Sequence, residues 1–447
     1  MSATELALRA VAEARSAGAD AADAFLVEDD GVSVLVRDGR TERVERSMSR
    51  GIGVRAFRGT RLGIAYTNDV SDAAVRGAAH RASELAAVAA EDPAAGLPDA
   101  AELGALDAGL DMTDPSHASW NADTWNARAG RAEAAAREDA RITLSEGSRA
   151  GGGRRVVTLA NSHGFAASRS RTYAVVTASV FAQGAGGERQ RDAWYTDATH
   201  ADDLESPESV GREAARRAIR RCGYRKPPSG PFPVVFPPEV ARDVLRSVAQ
   251  AVSASLVFRR GSFLADRMGE VVASPLLRLV DDPTLARRSG SREFDGEGVR
   301  ARRTSLFDEG RLVSWLADSY SARRLGTTTT GHASRGITGS PGVAPSNLVL
   351  APGTGSAEDL VADVPAGLYV TDLLGMGVNL ASGAWSRGAA GIWIENGRLA
   401  HPVQELTVAG DLPGMLRGLT AVAGDLTWHG STAAPTVRID GLTVAAG

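Results

Sequence analysis

Apolar positions repeat along this chain with two different periods, and the switches between them mark out its elements. Ser2-Ala3-Thr4-Glu5 has the form of a capping box, and the alanine-rich run that follows ends at Gly18, so the opening element is predicted to be a helix. From residue 24 to 66 the period becomes two. Val32, Val34 and Val36 alternate with Ser33, Leu35 and Arg37, and Asp38-Gly39 then supplies a hairpin turn. Two further strands are expected on either side of Arg58-Gly59-Thr60. Helical periodicity returns at 71–90 and 116–139, β patterning fills 141–195, and a helix is predicted over 207–221.

The stretch Lys226-Pro227-Pro228-Ser229-Gly230-Pro231 is the best candidate domain boundary, which divides the chain into residues 1–225 and 226–447. Beyond it come an apolar strand at 232–236 and a helix from Pro238 to about Ser253. Strand patterns then dominate, with turns at Asp308-Glu309-Gly310 and Asn396-Gly397, a late helix near 412–423 and a final strand at 436–444. Helix and sheet are segregated along the chain, so the expected class is α+β: a mixed N-terminal domain and a mostly antiparallel C-terminal one.

At 447 residues, with 43% hydrophobic and 23% charged side chains, the composition is globular. The 50 basic and 54 acidic residues leave a net charge of -4, so no global field attracts nucleic acid or anionic lipid. No window approaches the ~20 apolar residues of a membrane helix. A cytoplasmic location without membrane contact is the expectation. The single cysteine, Cys222, forbids an internal disulfide and a cysteine-cluster metal site.

Candidate chemistry is sparse. The seven histidines form no helical ligand pair, and no Gly-x-Ser-x-Gly elbow stands between a strand and a helix. Gly151-Gly152-Gly153 and Gly184-Ala185-Gly186-Gly187 lack the lysine of a phosphate loop and read as loop tips. The arginine-rich runs at 212–226 and 287–303 lack interleaved aromatics, and read as solvated faces or protein interfaces. Glu239 and Asp243 share one face of the helix that starts at Pro238, but two carboxylates make an incomplete metal site without a nitrogen donor.

Several segments of the C-terminal half resemble the TldD/PmbA family. They include Asp281-Asp282-Pro283, Phe294-Asp295-Gly296-Glu297-Gly298-Val299 and Asp318-Ser319-Tyr320-Ser321-Ala322-Arg323. Met376-Gly377-Val378-Asn379, Ser386-Arg387-Gly388-Ala389-Ala390-Gly391 and Trp393-Ile394-Glu395-Asn396-Gly397 are similar to the PmbA (TldE) branch in particular. In this family the TldD-like subunit carries a His-Glu-x-x-x-His zinc helix, and the PmbA-like subunit pairs with it in a heterodimeric peptidase for unfolded or leader peptides. Set on that register, Pro238 stands at the first histidine, Glu239 keeps the glutamate, and Asp243 replaces the second histidine. The resemblance therefore implies a non-catalytic subunit with no cofactor of its own, zinc being held by a TldD-like partner. Its second implication is a stand-alone binding or modulator protein, for example of DNA gyrase, and its third an independent hydrolase. Within the family frame, residues 372–387 are the expected chamber-facing segment. Gly375, Gly377 and Gly383 would admit another backbone, and Asp372, Asn379 and Arg387 would contact an extended peptide substrate.

Overall fold

The computed structural model describes residues 1–107 and 109–447. Helix α1 (Ala3–Ser16) carries the capping box in full: the Glu5 amide donates to the Ser2 hydroxyl at 3.2 Å, and the Ser2 amide to the Glu5 carboxylate at 2.7 Å. Strand β1 (Ala21–Arg37) turns through Asp38 and Gly39, both at positive φ, into β2 (Arg40–Arg58). That left-handed pair matches the twist of the flanking strands. β3 (Arg61–Thr67), α2 (Asp72–Val88), α3 (Ala122–Ala136), β4 (Ile142–Asn161), β5 (Ala166–Gln183), β6 (Arg189–Ala198) and α4 (Pro207–Ile219) complete the first half. Its six strands form an antiparallel sheet in the order β3-β2-β1-β4-β5-β6.

Alternation along β1 explains how both faces of this sheet are used. Ala22, Ala24 and Leu26 pack with α1 and α2, and Val34 and Val36 with α3 and α4. Phe25 and Val27 point the other way and join Val157, Leu159 and Phe294, the last from the second half. Two local expectations change. The helix predicted from 116 begins at Ala122, because Asp114 and Pro115 start a separate 3-10 turn and Asn121 then caps α3. Gly151-Gly152-Gly153 is no loop tip: it lies inside β4, where a Cβ on Gly153 would sit 2.2 Å from the Asp30 carbonyl oxygen.

The second half runs β7 (Gly230–Phe236), α5 (Pro238–Ala251), α6 (Ala254–Val257), β8 (Leu279–Asp281), β9 (Thr304–Asp308), β10 (Arg311–Leu312) and α7 (Ser319–Leu325). After β11 (Ala333–Ser334), β12 (Gly342–Val343), β13 (Leu348–Leu350) and α8 (Ala357–Ala362) come the long strands β14 (Ala366–Leu374), β15 (Ala384–Glu395) and β16 (Arg398–Asp411). The chain ends with α9 (Leu412–Arg417), β17 (Leu419–Val422), β18 (Thr427–His429), β19 (Thr432–Ala434) and β20 (Val437–Ala446). Gly418 stops α9 early, and part of the segment expected to be helical is β17, paired with β20.

One sheet has the order β16-β15-β14-β7-β20-β17, and a further pairing of β16 with β20 closes five of its strands into a barrel. Most pairs are antiparallel, but β7–β14 and β13–β19 are parallel. Helix α5 sends Val240, Val244 and Val248 into the core shared with Leu279, Leu306 and Leu348 of the sheet β10-β9-β8-β13-β19-β18. The whole is α+β, as the segregation of periods along the chain implies.

Candidate functional site at the start of α5

The first turn of α5 follows directly from β7. Pro237 is the N-cap and Pro238 the first helical residue, a position where the missing N–H costs nothing. Its side chain is buried and brings no donor. Glu239, in the next position, accepts a hydrogen bond from Nη1 of Arg217 at 2.8 Å. Arg217 is the hub of the site. Its Nε lies 3.2 Å from an Asp192 carboxylate oxygen, its Nη2 donates to the Thr371 carbonyl at 3.1 Å, and its guanidinium stacks 4.9 Å from the Trp194 ring centroid. Burial opposes the charge, but Asp192 and Glu239 together hold the Arg217 pKa above the ordinary arginine value. One side chain of α4 is thereby bonded to β6, α5 and β14.

Arg221 extends the network, reaching Asp192 at 3.4 Å and Asp372 at 3.5 Å. Burial raises the Asp372 pKa, against the lowering effect of Arg221. One turn along α5, Arg242 donates to the Tyr195 hydroxyl. Beside it, His429 at the end of β18 packs 5.6 Å from the Trp194 ring and 6.4 Å from that of Tyr195. Burial first, then Arg242, pushes this imidazole down to about 4, so it is neutral at pH 7. Asp243 is partly exposed and stands 3.8 Å from its neighbour Arg242.

These residues do not fit a metal ion. Pro238 has no donor, Glu239 is occupied by a guanidinium, and among the described residues no group of three or more His, Cys, Asp or Glu side chains is placed to hold a metal ion. His429, Arg217 and Asp192 are the members that sequence reasoning missed: each lies on a different element from α5, and no local spacing connects them.

The other sequence candidates lie apart. Asn379 closes its own turn in the β14–β15 connection, its side-chain oxygen accepting the amides of Ala381 at 3.0 Å and Ser382 at 3.2 Å. Arg387 donates back across the hairpin to the carbonyls of Leu374 at 3.2 Å and Leu373 at 3.4 Å. A Cβ on Gly377 would lie 1.9 Å from the Ser386 carbonyl oxygen, so that glycine is required by the loop itself. Of the three peptide-contact candidates, only Asp372 joins the α5 network.

Buried carboxylates at Asp23 and Glu297 tie the two halves together, and those of Asp281 and Asp295 brace the second half. Arg55 of β2 bonds Asp23 of β1 at 3.0 Å and Glu297 at 3.3 Å, and Arg335 meets the same Asp23 at 2.9 Å. Asp295 accepts the amides of Glu297, Val299 and Ala333, while Asp281 receives His332 Nε2 at 2.9 Å. All of these carboxylates are buried.

Three parts of the chain match family descriptions: PmbA/TldA metallopeptidase domain 1 over residues 22–86, the central domain over 116–221 and the C-terminal domain over 229–446. The metalloprotease PmbA of Escherichia coli O157:H7 is 35% identical, with 98% of this chain and 96% of that protein covered. A metalloprotease PmbA homolog of Haemophilus influenzae is 33% identical, covering 98% and 94%. A crystal structure from Bacteroides thetaiotaomicron, described as a proposed modulator of DNA gyrase, superposes with a TM-score of 0.90 at 29% identity, covering 99% and 98%. TldE from Thermococcus kodakarensis, at 19% identity, has the same fold, with a TM-score of 0.86 and coverage of 98% and 99%. On the matched ranges and the near-complete relatives, the chain belongs to the PmbA/TldD metallopeptidase family.

Proposed function

We propose that this chain is the non-catalytic subunit of a heterodimeric zinc metallopeptidase that cleaves unfolded or leader peptides. The partner is a TldD-like chain, which supplies the zinc through its own His-Glu-x-x-x-His helix. The observation that carries this reading is the Arg217–Glu239 bond: the glutamate retained in the register of the metal helix is engaged by a cation. A neutral His429 lies nearby, and among the described residues it belongs to no cluster of potential metal ligands. The role left to such a subunit is to enclose the reaction space and to align an extended peptide, whose backbone is read by an exposed sheet edge.

The test is to purify the chain alone, a His-Glu-x-x-x-His TldD-like chain from the same organism, and the two together. A one-to-one complex is expected, with about one zinc held by the partner and peptide cleavage only in the mixture. An isolated chain that holds one tightly bound zinc and cleaves peptides would overturn the proposal, as would a partner that works alone at the full rate. The alternative, a modulator of gyrase acting alone, draws no support from charge, since 54 acidic residues outnumber 50 basic ones.

A further inference from the structure

A cleft of about 970 Å³ lies between the first sheet and loops of the second half. Its floor is the sheet face opposite the helices, with Phe25, Val27 and Val157 at its centre, and its far wall is built from the loops around Ser289–Glu293, Ser334–Ile337 and Ser346. Six arginines line it, against one carboxylate, Glu293. Three of the six are neutralised: Arg50 by Glu28 at 2.9 Å, Arg155 by Asp29 at 2.6 Å and Arg335 by Asp23 at 2.9 Å.

Arg169, Arg171 and Arg292 are different. No carboxylate of the described residues comes within 4.0 Å of any of them. Arg171 donates only to the Ser289 carbonyl at 2.6 Å, and Arg292 only to the Gly331 carbonyl at 3.3 Å. Nε of Arg169 and of Arg292 is buried with no partner, and the Arg292 side chain belongs to a residue that is only 9% exposed. Burial, with Arg292 and Arg171 close by, pulls the Arg169 pKa down to about 10. Carboxylates such as Glu293 and Asp295 act on them only from beyond ion-pair distance, so three confined guanidinium groups of like charge remain incompletely balanced and favour an anion joining them.

We propose that this cleft binds an acidic peptide segment, its carboxylates taken by Arg169, Arg171 and Arg292 and its apolar side chains lying on the floor. The preference for anions rests on the cleft alone; the choice of a peptide rests on the peptidase reading above. A single carboxylate or phosphate would leave most of the volume unfilled, whereas mixed apolar, serine-rich and cationic walls suit several residues of chain. Planar guanidinium forks match carboxylates two bonds at a time.

The experiment uses the full chain without any partner, so a failure of the peptidase reading leaves its outcome untouched. Fluorescence anisotropy is read with a labelled peptide carrying several glutamates and with its glutamine counterpart; inorganic phosphate is the competitor. The glutamate peptide should bind at least about tenfold tighter, and Arg171→Gln or Arg169→Gln should each remove about tenfold, the scale of one charged hydrogen bond. Arg169→Lys should retain part of the preference. Circular dichroism checks folding, and if Arg169→Gln does not fold, Arg171→Gln at the more accessible position carries the test. Equal binding of the two peptides overturns the proposal. So does glutamate binding that neither folded substitution weakens, or phosphate binding in the cleft without peptide binding.

Discussion

Replacing Arg217 by methionine keeps most of the side-chain volume and removes the charge that joins α4 to α5 and β14. Asp192 would keep Arg221, at 3.4 Å, but Glu239 would lose the cation now 2.8 Å away, and the Thr371 carbonyl would lose a donor. Breaking one side of a buried ion pair typically costs ~3–5 kcal/mol. The Glu239 side chain is 19% exposed, so water relieves part of this, and the lower end, about 3 kcal/mol, is expected. With a urea slope of about 3 kcal/mol/M, the unfolding midpoint should fall by about 1 M. Adding Glu239→Gln to Arg217→Met should restore ~1–2 kcal/mol, because the stranded charge is then gone. A midpoint shift below about 0.3 M for the single substitution would refute the hub role, as would a double variant whose loss equals the sum of the two single losses.

His429→Gln should flatten the acid limb of the stability curve. The native imidazole titrates near 4 and the unfolded one near 6.5, so its contribution is complete above about 6.5 and is lost as pH falls toward 4. The wild-type minus variant difference over that window is at most ~3 kcal/mol, and a difference independent of pH would contradict the buried neutral state. Gly53→Ala places a Cβ 2.0 Å from the Ile337 carbonyl oxygen, where the first sheet meets the second half. It should cost ~1–3 kcal/mol or more, read as a drop in melting temperature, while Gly77→Ala, on open helix surface, should gain up to ~1 kcal/mol. Asn379→Ala removes the acceptor of two loop amides and should cost no more than ~1 kcal/mol in the isolated chain. If residues 372–387 face substrate, the same change lowers peptidase activity of the reconstituted complex several-fold; unchanged activity would remove that segment from the site.

The elements that were legible in the sequence are those fixed by local chemistry. Asp38-Gly39 and Asn396-Gly397 both take positive φ at hairpin turns, and Ser2 with Glu5 forms its capping box. Where a distant partner decides, local patterning fails. Gly151-Gly152-Gly153 looks like a turn by composition, yet it lies mid-strand because Trp125, Tyr173 and the β1 backbone leave no room for side chains. The pairing of β16 with β20 that closes the barrel, and the parallel pair β7–β14, join segments whose own sequences carry no mark of each other. Gly418 could have warned that the last helix ends early, since glycine is disfavoured inside helices.

The site was legible in the first turns of α5 and, through the family frame, at Asp372 of β14. Glu239 and Asp243 were found because they share a face of α5, whereas Arg217, Asp192 and His429 come to Glu239 through three other elements. The same physics explains why the family motif was easier to read than the chemistry. Asp281, Asp295 and Glu297 are buried charges that must each meet fixed donors: His332 and the Ala333 amide within the second half for the first two, and Arg55 of the first half for Glu297. Such constraints leave a dense, recognisable string of residues, but what they specify is how the second half is braced and where Glu297 joins it to the first. Arg169, Arg171 and Arg292 have no carboxylate of the described residues in contact, and on the proposal above the missing partner is a peptide from outside the chain. A pattern search finds charges that are satisfied within the fold; a ligand site is found by asking which buried charges are not.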